Sequence, residues 1–212
     1  MYLADTIDSV LESKKDKLIG RSSHFFICDV LNRAFKKVEP FKFRYELYDN
    51  YDREDYSISG VYDQDIDVKY IILNFSSTCK TFTLRPEKWK EFKFGISQVC
   101  QHESIHQCQW SVRDASLFNC EKVDFRTEDP SEEDKDYLAD YDEIDAYGHD
   151  IAMEIKFYYP KKDPYEVLKN ISRYKKIWSY NYYKKTFKND DWSEVKHSLL
   201  KKAFRWLSYT KV

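Results

Sequence analysis

The stretch "QHESIHQCQW", Gln101 to Trp110, places two histidines four residues apart with a glutamate beside the first. On a helix of ~3.6 residues per turn, His102 and His106 lie about 40° apart in projection, so both imidazoles can reach one metal ion. Glu103 is not a ligand in such a pair. Its carboxylate can take a proton from an attacking water and return it to a leaving amine, which is the general acid/base role in peptide hydrolysis. At this composition the five-letter pattern arises by chance in roughly 1 chain in 100, so its placement has to carry part of the argument.

Catalytic zinc takes three protein ligands and keeps one position open. A third histidine six residues after His106, with glycine between, is ruled out because Gln109 and Val112 hold those places. The richest later source is "YDEIDAYGHDIAMEI", which offers Glu143 and His149. These two sit six residues apart, roughly 120° around a helix, so they do not both point at one ion. Small residues Ala146 and Gly148 would let this helix approach the first closely, with Ile144, Tyr147 and Ile151 fastening it.

The elements that position these residues follow from periodicity. "PEKWKEFKFGISQVCQHESIHQCQW" is the longest helical pattern, opened by Pro86, and its apolar stripe runs Trp89, Phe92, Ile96 and Val99. Continuing that spacing lands on Glu103, His106 and Trp110, so the motif lies on the inward stripe, where a bare carboxylate and imidazole need a partner. Ahead of it, residues 3–18 and 22–38 read as helices, with Ser22 or Ser23 as a cap. Between them and the motif helix, "FKFRYELYD", "YSISGVYD", "DVKYIILNF" and "KTFTL" read as strands of a small, mostly antiparallel sheet, with "KTFTL" a hairpin partner of the strand before it. "DVKYIILNF" is the candidate edge strand for pairing with an extended peptide, although its continuous apolar run also suits a buried central strand. "FNCEKVDFR" is a further short strand candidate, and residues 121–136 read as an acidic loop. Helical spacing resumes from Tyr137 to Tyr159, capped by Asp140 or Asp142. Beyond Pro160 and Pro164 come two or three basic, aromatic, amphipathic helices.

His102-Glu103-x-x-His106 followed by a helix carrying Glu143-x-x-Ala146 resembles the gluzincin group of zinc metallopeptidases. The phrases "HESIHQCQ" and "YDEIDAYGHDIA" are also similar to small zincin-like proteins encoded by tailed bacteriophages, over roughly residues 65–158. The resemblance implies a zinc peptidase with one Zn2+ held by His102, His106 and Glu143, and Glu103 as general base. His149 or Tyr147 would then stabilise an oxyanion, with His149 the alternative third ligand. The chain departs from the best-known gluzincins at Tyr147, where an aspartate would orient a ligand histidine; Asp145 or Asp150 are the candidates for that task. The fold this implies is α+β and zincin-like, with a small sheet packed on the motif helix and a second ligand-bearing helix. Residues 1–160 would form this domain, and 161–212 a helical extension packed on it.

Composition sets the remaining bounds. Of 212 residues 42% are hydrophobic and 17% aromatic, enough to build a core filled largely by Tyr and Phe. Net charge is −2, yet residues 161–212 carry fourteen Lys and Arg against five Asp and Glu, leaving about −11 for the rest. Basic residues interleaved with rings suit nucleic acid, or equally helices packed by their aromatics and kept in water by lysines. The first residues lack a secretion signal, no apolar run spans a membrane, and five cysteines without CxxC spacing read as reduced thiols in the cytoplasm, of a host cell if phage-encoded. Two further function classes stay open: a zincin scaffold acting as a structural or interaction protein, for instance in a phage particle with phage or host partners, and a nucleic-acid-binding module using the extension.

Overall fold

The computed structural model describes residues 3–49, 51–52, 55–115, 130–187 and 189–210. Its elements run α1 (Leu3–Glu12), α2 (Lys15–Leu18), β1 (Gly20–Ser23), α3 (His24–Phe35), β2 (Phe41–Tyr48), β3 (Tyr56–Asp63), β4 (Val68–Ser76), β5 (Thr81–Leu84) and α4 (Trp89–Ala115). There follow α5 (Pro130–Ala139), α6 (Tyr141–Tyr158), α7 (Pro164–Lys169), α8 (Trp178–Thr186) and α9 (Asn189–Leu207). The class is α+β, as expected. Two compact units divide the chain, Met1–Cys108 and Gln109–Val212, and the division falls inside α4.

In the first unit, Ser23 rather than Ser22 caps α3, its Oγ accepting from the Phe26 N–H at 3.2 Å. Asn32 on the same helix clamps β2 from both sides of one residue, donating to the Phe43 carbonyl and accepting from its N–H, each at 2.8 Å. The core between helices and sheet is built from Ile7, Leu11, Leu31, Phe35, Phe43, Leu73, Phe75, Phe92 and Ile96.

The sheet departs from the mostly antiparallel expectation. Its three strands lie in the order β2-β4-β3, with β4 parallel to β2 and antiparallel to β3. Strands that simply alternate in direction give this mixed sheet because the segment after β2 skips a place, and the β3–β4 hairpin then folds β4 into the gap. Central β4 is buried at eight of its nine positions, which is what the run "YIILNF" demands. It is therefore not an edge strand; β3 is. β5 is not a hairpin partner of β4 either. It pairs antiparallel with β1 in a separate two-stranded sheet, and β1 is entered through Gly20 at φ +107°, a left-handed conformation that glycine adopts without strain.

In the second unit, the Asp140 carboxylate caps α6 by accepting from the Asp142 N–H at 2.7 Å. The small residue Gly148 does permit a close helix approach, but toward α9. A Cβ there would stand 2.6 Å from Lys202 Cβ and 3.0 Å from the Ala203 nitrogen, so α6 and α9 touch backbone to backbone at this point. Around it Ile151, Ile155, Tyr180, Tyr183, Leu199 and Ala203 make a second core. The buried Tyr183 hydroxyl donates to the Leu138 carbonyl at 2.9 Å. Glu154, also buried, receives the N–H and hydroxyl of Ser179 in the first turn of α8, satisfying donors that a helix start leaves open. Residues 130–136, expected as acidic loop, begin α5 instead. The rest of that loop and most of the "FNCEKVDFR" strand candidate lie outside the described residues.

Candidate metal centre

Helix α4 reaches the motif by lying close on β3. Ile58 and Gly60, two apart on that strand, face it. A Cβ on Gly95 of the helix would meet Ile58 Cδ1 at 3.0 Å, and a Cβ on Gly60 would meet Val99 Cγ1 and Glu103 Cγ at 2.7 Å. The missing side chain at Gly60 is thus the space that the Glu103 side chain fills. Glu103 is 4% exposed and His102 8%, while His106 and Trp110 are half-buried, so of the expected inward positions Glu103 is buried and the two after it only partly. The two imidazoles face each other edge to face, with ring centroids 4.8 Å apart and planes at 70°.

The next residue, Gln107, fixes the helix to the start of β4. Its side-chain oxygen accepts from Lys69 Nζ at 2.6 Å and its amide donates to Asp67 at 2.7 Å. Lys69 is fully buried, pairs with Glu39 at 2.8 Å and lies 4.7 Å from the centre of the Phe41 ring. Asp67 also accepts from the Tyr62 hydroxyl at 3.0 Å. The hydrogen bonds from Gln107 and Tyr62 hold the Asp67 carboxyl below its usual range, and burial with the same carboxylate pushes Tyr62 up to about 12.

One turn beyond His106, Gln109 donates to the carbonyl of Asp142 at 3.3 Å, the residue before Glu143. Glu143 is 7% exposed in the first turn of α6. His102, His106 and Glu143 each offer one ligand atom, and these atoms all lie within 4.8 Å of one another. His149, Asp145 and Asp150 are not among these donors. The His149 ring packs edge-on against Trp206 of α9 at 5.0 Å, and the Tyr147 ring against Tyr183 at 5.1 Å. Asp145 accepts from Trp206 Nε1 and pairs with Lys202, both at 3.1 Å, while Asp150 is buried with an oxygen 3.7 Å from His149 Nδ1.

These three donors, His102, His106 and Glu143, could hold a metal ion, and two imidazoles with one carboxylate are ligand types that zinc accepts. Two buried thiols are kept protonated, since burial pushes Cys100 well above its ordinary value and Cys28 up to about 12.

Sequence reasoning missed Gly60 and the Lys69–Gln107–Asp67 chain. Gly60 had a signal, since an isolated glycine in a strand pattern marks a close approach. Lys69 had none, because a lysine at the start of a strand reads as solvent-facing.

No protein-family model, curated protein or solved structure matches the chain. Among the described residues, no helix is long and apolar enough to cross a membrane.

Proposed function

We propose that this chain is a zinc-dependent peptidase of the gluzincin type, with His102, His106 and Glu143 holding one ion and Glu103 acting as general base. The observation that carries the reading is the grouping of those three donors within 4.8 Å of one another, next to a buried carboxylate that is not one of them. A structural metal site has no use for Glu103; hydrolysis does.

When bound, zinc polarises the scissile carbonyl as a Lewis acid. Glu103 takes one proton from the attacking water and delivers it to the leaving amine, so the C–N bond breaks as the new C–O bond forms and the carboxylate is regenerated. Val99 and the bare backbone at Gly60 fix the Glu103 side chain, which removes the cost of orienting it during reaction. The substrate is an extended peptide paired to β3. That edge strand reads "YSISGVY" from Tyr56 to Tyr62 without a charge, whereas the opposite edge, β2, carries Lys42, Arg44 and Glu46. An uncharged edge accepts a further strand; a charged one repels it.

Glu103→Gln tests the assignment. The variant should keep its zinc and lose hydrolysis of a peptide library by ~100-fold or more. Equal turnover by both proteins, or none by either when zinc is loaded, would refute the peptidase reading.

A further inference from the structure

A groove of about 750 Å³ lies between α7 and α9, wholly within the second unit and built from residues the zinc reading does not use. Lys196, His197, Lys201 and Phe204 of α9 line it. Tyr165 and Lys169 of α7 line the other wall, with Glu166 as its carboxylate, 3.9 Å from Lys169.

Two properties set it apart from an ordinary solvated helix face. The first is the aromatic pair. Phe204 is 57% exposed and Tyr165 39%, with ring centroids 5.1 Å apart. Tyr180, Tyr183 and Phe187 of the same region are buried in the core, whereas these two rings line the groove. The second is the charge. Three lysines face one glutamate, and among the described residues neither Lys196 nor Lys201 has an ion-pair partner, while Lys202, the next residue, is taken up by Asp145.

We infer that this groove binds single-stranded nucleic acid, with an unpaired base on the Phe204–Tyr165 pair and successive phosphates at Lys169, Lys196 and Lys201. The charge selects a polyanion, and exposed rings select one whose bases are free to stack, which a duplex does not offer.

The test uses the full chain and a fluorescein-labelled 20-residue oligothymidylate, followed by anisotropy across a salt series. Three phosphate contacts predict a log–log salt slope of about −2, from ~0.7 per contact on single strands. Lys196→Glu with Lys201→Glu should weaken binding at least tenfold and flatten the slope toward −0.7. Phe204→Ala should weaken it about tenfold with the slope unchanged, a split that separates stacking from charge. All three positions are at least partly exposed, so thermal melts should match the wild type. Binding by Glu103→Gln should be unaltered, which keeps the outcome apart from that of the peptidase reading. The inference is overturned if the oligonucleotide does not bind, if either set of changes leaves affinity intact, or if a duplex or polyglutamate binds as tightly as the single strand.

Discussion

Gly60 and Glu103 occupy one another's space: a Cβ on the strand residue would come within 2.7 Å of the glutamate's Cγ. In the proposed peptidase the strand would thereby limit where the carboxylate of the motif helix can stand. Gly60→Ala is expected to destabilise the chain by about 1–3 kcal/mol through overpacking against Val99 and Glu103 and to lower peptide hydrolysis while leaving zinc stoichiometry at one. Denaturant unfolding with metal analysis and turnover measures all three. An alanine variant as stable and active as the wild type would show that Glu103 is not held by the strand.

The buried Lys69 makes an asymmetric prediction. Glu39→Ala leaves a fully buried ammonium without its counter-ion and should cost about 3 kcal/mol. Lys69→Met leaves only the half-exposed Glu39, which water can solvate, and should cost less, with the double variant close to Lys69→Met alone. Urea midpoints of the three variants form the cycle. A double variant that costs as much as the two single changes added together would mean that the pair is not coupled.

Acid should loosen the attachment of α1 to α4. Glu12 accepts from Trp89 Nε1 at 3.1 Å and from Lys93 Nζ at 3.2 Å, and the Trp89 hydrogen bond first, then Lys93, holds its carboxyl below the ordinary 4.5. A depressed carboxyl binds its proton more readily in the unfolded chain. Its contribution is present above pH 4.5 and is lost as pH falls through the lower folded value. Melting curves between pH 7 and pH 3 should show the wild type falling further than Glu12→Gln. Parallel curves for the two proteins would contradict the assignment.

How much of this was legible in the sequence depended on whether the signal was local. The motif helix and its inward face were readable because Trp89, Phe92, Ile96 and Val99 repeat at the helix period and Glu103 and His106 continue it. The central position of β4 was foreshadowed by "YIILNF", which has no polar face to give to solvent. Strand order was not readable: β2, β3 and β4 alternate in direction along the chain, and only tertiary packing determines that β4 fills the middle. Gly148 announced a close approach but not its partner, since α9 lies some fifty residues further on. The third donor of the proposed site was equally non-local: Glu143 and His149 are both buried on α6, but only Glu143 joins the donor group, while the His149 ring packs edge-on against Trp206.

The most direct test of the proposed zinc centre is calorimetric titration of Zn2+ into chelator-stripped protein. Wild type and His149→Ala should each bind one ion per chain, and saturation at 100 times Kd should stabilise the fold by about 2.7 kcal/mol. His102→Ala, His106→Ala and Glu143→Ala should each abolish the tight site. Tight one-to-one binding that survives Glu143→Ala, or that vanishes with His149→Ala, would contradict the account.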